Sequence, residues 1–340
     1  MTTADFAAFS NNAIAFASLV YVLAFLSHVA EWAWGRNIPV TALAREPLHA
    51  GVGAFADAYD DTGATLAAQS PTDASPTDAS DQDTVQRVET FGRVGISLTA
   101  LACLLHLAGL VSRGLASDPI RVPWGNMYEF AVVGSFGVTV IYLLLLPKYK
   151  LRWLGLPVTS FAIVVLMLAV LLLYVPAGPL VPALHSYWLV VHVIAAATGA
   201  GAFTIGAMAS LLFLVKERAE RRGTVKATGY IARLPESKAL DRVAYRVHAF
   251  GFPIWTFAAL VAGPIWAQYA WGRYWGWDPK EVWAFITWVV YAAYLHARAT
   301  AGWKGKAAAV IALIGFGTVL FNFVGINLFG SGLHSYSGLD

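Results

Sequence analysis

Cysteine is almost missing from this chain: Cys103 is the single one in 340 residues. One thiol cannot close an internal disulfide, build a cysteine-rich metal site or run thiol-pair redox chemistry, so those classes are excluded for this subunit. Charge is scarce as well. Only 13% of residues are Asp, Glu, Lys or Arg and 58% are hydrophobic, whereas a soluble domain carries about a quarter charged residues. No G-x-x-x-x-G-K-[ST] loop is present, which excludes ATP hydrolysis by the chain alone. Nor does the chain open with a basic region, a short apolar core and a small-residue cleavage site. The first apolar segment is therefore expected to be a retained span and not a cleaved leader.

What the chain has instead is apolar helix. Crossing a bilayer takes about 20 apolar residues, and eight such runs are expected: 9–34, 91–111, 127–146, 153–175, 187–215, 245–270, 279–299 and 304–328. The expected fold class is an all-α polytopic membrane protein of about eight transmembrane helices with both termini on the outer face. It divides into an N-terminal helix (1–34), a polar cytoplasmic loop (35–90) and a seven-helix core (91–340). Within the loop, Ser70-Pro-Thr-Asp-Ala repeats at once as Ser75-Pro-Thr-Asp-Ala, and seven aspartates fall between Asp57 and Asp83. Such a segment buries too little apolar area to offset its ordering entropy, so it is read as disordered and assigned no chemistry.

Orientation follows from Lys and Arg placement. With eight spans, 19 of the 23 basic residues fall on one side, leaving Arg113, Arg121, Arg273 and Lys280 on the other. The basic side is read as cytoplasmic. Loops around 112–126, 176–186 and 271–283 and the tail 329–340 then share the outer face.

The loop Trp271-Gly-Arg-Tyr-Trp-Gly-Trp-Asp-Pro-Lys-Glu-Val-Trp283 packs four tryptophans and a tyrosine into thirteen residues. Interfacial aromatic rings are common anchors, but rings spaced by glycines in one short loop also make a platform for a flat aromatic ligand. Asp278-Pro279-Lys280-Glu281 reads as a helix start, with Asp as cap, Pro at the first helical position and Glu three residues after the cap. Asp278 is thus accounted for by capping alone or by a further role at the platform.

Eight histidines are few enough to weigh singly. His334 lies just beyond the last span and His192 near the outer end of the fifth. His185 is two helical turns before His192, on much the same face if helix continues there. His296 lies deep in the seventh span, roughly 25 Å along it from Pro279 at 1.5 Å per residue. His106 sits in an outer half-span, His28 and His248 toward inner ends, and His49 in the polar loop. A neutral imidazole offers a nitrogen lone pair suited to axial haem ligation. Two outer histidines beside a tryptophan platform would give a haem two axial ligands and aromatic walls. An aromatic belt with unrelated, core-packed histidines accounts for the same residues, and both readings stay open at this point.

The combination of motifs resembles a known family. Trp271-Gly-x-Tyr-Trp275-x-Trp277-Asp278-Pro-Lys-Glu281-x-Trp283 is similar to the WWD signature of haem-handling proteins in cytochrome c maturation. Tyr187-Trp-Leu-x-x-His192-Val, Gly251-Phe-Pro, Tyr294-Leu-His296-x-Arg298 and Phe329-x-x-x-x-His334-Ser-Tyr together resemble the CcsA family, whose members are also called CcsB or ResC. The WWD loop alone would equally admit CcmC and CcmF relatives. The resemblance spans about residues 92–336.

The resemblance implies a subunit of a holocytochrome c synthase (haem lyase) of the two-component system II, in a bacterial plasma membrane. It implies haem b as cargo, moved to the outer face with a ResB-type membrane partner and attached there to the Cys-x-x-Cys-His of apocytochrome c. Thiol-reducing proteins would act indirectly, and no nucleic acid is expected among the partners. Carried onto this sequence, His192 and His334 would be axial ligands of the outer haem, with His185 the rival of His192. Trp271, Tyr274, Trp275, Trp277, Asp278 and Trp283 would support that haem, and His296 would be an intramembrane waystation ligand. No general acid or nucleophile pair is evident, so catalysis is expected to be mainly positioning. The competing expectation is a b-type transmembrane electron carrier, with histidine pairs at two depths drawn from His28, His106, His248 and His296.

Overall fold

Helix is the only regular structure among the described residues of the computed structural model, which are 1–38, 76–179, 184–300, 302–330 and 332–334. In chain order the long helices are α1 (Thr3–Trp34), α2 (Pro76–Leu115), α3 (Met127–Tyr149), α4 (Gly155–Leu172), α5 (Tyr187–Arg221), α6 (Ser237–Phe257), α7 (Gly263–Trp271), α8 (Pro279–Ala299) and α9 (Lys306–Leu320). A π-helical turn, Ala258–Ala262, joins α6 to α7 as one continuous rod. A second π turn, Phe321–Gly325, extends α9 toward Phe329.

Among the described residues seven rods are long and apolar enough to cross a membrane, and the chain is an all-α polytopic membrane protein. The seventh of the eight expected spans, α8, forms as a helix of 21 residues yet falls outside that set. Its ends carry Lys280, Glu281, His296 and Arg298, and its apolar side is largely aromatic (Trp283, Trp288, Tyr291, Tyr294) and not aliphatic. It packs against α9 and α6 all the same, with Tyr291 and Tyr294 fully buried. The polar loop also differs from expectation. Residues 76–90 are helical and form the first part of α2, because Pro suits a first helical position and the Asp/Gln/Glu/Arg-rich stretch tolerates helix. Most of the aspartate-rich segment, and the loop 39–75 as a whole, lie outside the described residues.

Two packing groups build the bundle. In one, α1 packs along α2 and α4, with Ile14, Tyr21, Ala102, Val132 and Leu166 buried between them and α3. In the other, α5 packs along α6 and α9, and α8 along α9, around Phe203, Trp255, Tyr291 and Ala312. Helix α3 touches both α4 and α5 and joins the groups. Each end of the bundle is fastened by a buried acid. At the end carrying the basic loops, Glu31 accepts from His28 (3.2 Å) and Arg152 (3.1 Å). At the other end Glu129 accepts from Arg113 Nε (2.9 Å), Arg121 Nη1 (2.7 Å) and Nη2 (3.0 Å), and the Gly125 amide (2.7 Å). Arg113 also donates to the Val175 carbonyl, and Arg121 to that of Gly178 (3.0 Å). A buried charge is tolerated only when so partnered, and the result here is a fixed geometry for the loops at that end.

Candidate haem site at the tryptophan-loop end

Pro264 has no N–H to give to the Leu260 carbonyl, which an unbroken α-helix would require. The helix widens just before it, and Gly263 N–H reaches back five residues to the Ala258 carbonyl. The same carbonyl accepts from His192 Nδ1 at 3.0 Å. Close approach is possible because residue 263 has no side chain: a Cβ there would lie 3.1 Å from His192 Cε1. The wider turn also sets the direction of Trp266, whose ring stacks on His192 at 5.7 Å between centroids and 14° between planes. Such π turns recur at functional sites.

His334 reaches the same tryptophan from the tail. Its ring lies 5.3 Å from Trp266 and 4.7 Å from Trp271, edge-on to both. Its Nδ1 donates to Asp278 Oδ1 at 2.8 Å. Asp278 caps α8 in a capping box with Glu281: its Oδ1 accepts from the Lys280 amide (3.1 Å), and Glu281 Oε2 accepts from the amides of Asp278 (3.0 Å) and Gly276 (2.8 Å). The Leu333 amide donates to Asp278 Oδ2 at 2.6 Å. Burial opposes the charge of Asp278. The hydrogen bond and charge of His334, with the Lys280 and Leu333 amides, outweigh it and hold the carboxyl below the ordinary carboxylate range.

His192, His334, Trp271 and Asp278 are thus brought together around Trp266, which the sequence reading did not single out. Trp275 stands edge-on to Trp277 at 5.7 Å, and its buried indole N–H has no partner among the described residues. Tyr274 and Trp277 are exposed, at 61% and 69%, and Trp277 holds a left-handed φ of 57°. Trp283 turns away from the histidines and packs on Phe321 at 4.2 Å. His296 is not part of this site. It lies near the far end of α8, exposed, while its neighbour Tyr294 is buried. His185 does not share a helical face with His192, because α5 starts only at Tyr187, capped by the Ser186 hydroxyl (3.2 Å to the Trp188 amide). It lines a separate cavity of about 350 Å³ with Arg121, Trp124 and Tyr187.

Chemically, both site histidines have Nδ1 committed to an acceptor, a carbonyl for His192 and a carboxylate for His334. In the neutral ring, Nε2 then carries the lone pair, the arrangement usual for metal-ligating imidazole. Among the described residues no group of three or more His, Cys, Asp or Glu could hold a bare metal ion. Two imidazoles among indole rings fit a haem. His28, His106 and His248 are fully buried in the core instead. His28 pairs with Glu31, His106 Nδ1 lies 3.5 Å from the Tyr21 hydroxyl, and His248 sits among Phe203, Tyr291 and Tyr294.

Residues 124–334, from the first tryptophan at this end to His334, match the Cytochrome C assembly protein family. The Cytochrome c biogenesis protein CcsA of Synechococcus elongatus is 36% identical over 285 residues, covering 72% of this chain and 87% of its own length. The protein of the same name from Porphyra purpurea is 34% identical over 289 residues, covering 74% and 90%. Among solved structures, the Cytochrome c Heme Lyase CcmF superposes with a TM-score of 0.54 at 16% identity, over 100% of this chain and 50% of that one. This last likeness is one of fold alone.

Proposed function

Because this chain belongs to the cytochrome c assembly protein family, among its CcsA members, we propose that it carries haem b across a bacterial plasma membrane and presents it at the outer face. A ResB-type membrane protein works with it, and apocytochrome c is the acceptor. The tryptophan loop and both termini face outward, a reading supported by the 19 of 23 basic residues on the opposite side. The observation that carries the proposal is the pair of imidazoles at Trp266, each anchored through Nδ1 with its Nε2 lone pair left for iron.

His192 and His334 hold the iron, and Trp271, Tyr274, Trp275 and Trp277 flank the porphyrin. Arg273, whose guanidinium lies against Gly276, meets a propionate. In the acceptor, each thiol S–H adds across one haem vinyl group. The C=C bond becomes the new C–S and C–H bonds, and no electrons are consumed. The chain's part is to hold haem in place and give up a ligand to the acceptor's own histidine, which is catalysis by positioning. His296 is a waystation for haem in transit, its second ligand coming from the partner. A b-type electron carrier would need paired histidines at two depths. His28, His106 and His248 are instead fully buried, His28 against Glu31 and His248 among Phe203, Tyr291 and Tyr294.

The test is the absorption spectrum of the purified full chain, expressed with its ResB-type partner, beside the covalent haem content of the cell's c-type cytochromes. A Soret band that His192→Ala and His334→Ala each weaken, with loss of covalent haem, is expected. A chain without haem even when expressed with that partner, or variants with unchanged spectra and cytochrome yield, would overturn the proposal.

A further inference from the structure

A helix cap needs one side-chain acceptor, and Asn, Ser or Thr serve about as well as Asp. Asp278 does more than that. Its Oδ1 accepts both the Lys280 amide (3.1 Å) and His334 Nδ1 (2.8 Å), and its Oδ2 accepts the Leu333 amide (2.6 Å). The side chain is buried, with the whole residue 6% exposed. One carboxylate therefore starts α8, pins the tail and fixes the histidine on that tail. The contact is tight enough to restrict its neighbour: a Cβ on Gly332 would lie 2.4 Å from Oδ2.

We infer that Asp278 is a positioning residue of the outer site, setting the tautomer, direction and donor strength of His334, and is not itself a haem contact. This rests on the reading of His334 as an iron ligand. A carboxylate accepting Nδ1–H makes the imidazole a stronger donor through Nε2. His192 has only the neutral Ala258 carbonyl in the equivalent place. The two ligands are therefore unequal, with His334 the stronger donor and the one that favours ferric iron. The asymmetry has a use in the proposed reaction, since a haem held by two equally strong ligands is harder to hand over. The weaker His192 bond is the one that yields to the incoming histidine of the acceptor.

Asp278→Asn tests this in the full chain with its ResB-type partner. The amide oxygen can still cap α8 and accept from His334, but the charge is gone. In a redox titration of the outer haem, the ferrous form should gain about tenfold over the ferric, a rise of about 59 mV for a one-electron couple. Asp278→Ala should lower haem affinity roughly 10- to 100-fold, the usual cost of removing such a support. Gly332→Ala reaches the same contact from the tail and leaves the cap intact, so it decides the matter if the Asp278 variants fail to fold. It should shift the potential in the same direction, whereas a carboxylate that only caps α8 leaves it silent. Unchanged potential and affinity in Asp278→Asn and Gly332→Ala, while His334→Ala loses ligation, would overturn this inference and leave the outer site standing. If His334→Ala also changes nothing, it is the site assignment that fails.

Discussion

The two ends of α8 hold histidine chemistry in opposite states of completion. At its N-terminus the cap residue orients His334, a second histidine lies across Trp266, and each ring has its Nδ1 partner supplied by this chain. Near its C-terminus His296 is exposed on the helix surface, and the interior side is sealed by Tyr294 and by Arg298 paired to Asp241 at 2.7 Å. On the proposed reading, one end is a two-ligand set within a single chain. The other is half a set, facing whatever lies against the bundle. The difference shows where the proposal requires a partner: it has haem held at the loop end by this chain alone, and haem at His296 only with a second protein.

The largest expected effect breaks the complete end. Losing either His192 or His334 to Ala should cut haem occupancy of the isolated chain by at least about 100-fold, the upper range seen even for residues that only support a ligand. Spectrophotometric haem titration measures it, and a loss in one variant but not the other would mean the set is not a pair. Next comes the incomplete end. His296→Ala should leave haem binding by the isolated chain unchanged, yet lower cytochrome c yield on the order of 10-fold when the ResB-type partner is present. Equal losses with and without the partner would erase the contrast between the ends.

How much of this was legible in the sequence differs between the same two regions. Helices show in long apolar runs, so the bundle and the cap at Asp278 could be read directly from residue order. The aromatic side of α8 weakened its apolar signal, and the polar start of α2 hid its helix, because in both cases residues with modest hydropathy still fit helical packing. At the site, the family resemblance pointed to His192, His334 and the tryptophans. What stayed hidden were contacts made across the chain: the Ala258 carbonyl turned toward His192, the ring of Trp266, and the bond from Asp278 to residues 55 and 56 positions away. Pro264 was the one local clue to the first of these, since a proline inside an apolar helix must disturb its hydrogen bonding. Trp283 shows the reverse. It belongs to the motif by spacing, but its place in the second turn of α8 turns it toward Phe321.

A third variant probes how the complete end is built. Pro264→Ala restores the missing N–H and lets the π turn tighten to α-helix. One residue of register corresponds to about 100° of rotation, so Trp266 and the Ala258 carbonyl would be drawn away from His192. Packing of α7 against α5 resists most of that motion, and the expected cost is a several-fold loss of haem affinity, about 1 kcal/mol, with the bundle still folded. An unchanged affinity would show that the π turn is incidental to the site.

The smallest effect separates the loop's tryptophans. Trp283→Phe keeps an aromatic ring against Phe321 and touches neither histidine, so haem affinity should stay within about twofold, with a stability loss near 1 kcal/mol from the trimmed contact. Trp277→Phe removes little buried area, as Trp277 is 69% exposed, and its stability change should stay within about 0.5 kcal/mol. If Trp277 lines the porphyrin, its haem loss should nevertheless exceed that of Trp283→Phe. The ordering matters more than either size, since stability and haem retention then move in opposite directions across two tryptophans six residues apart. The reverse ordering would place the flat ligand on the Phe321 side of α8 and move the complete site away from the pair at Trp266.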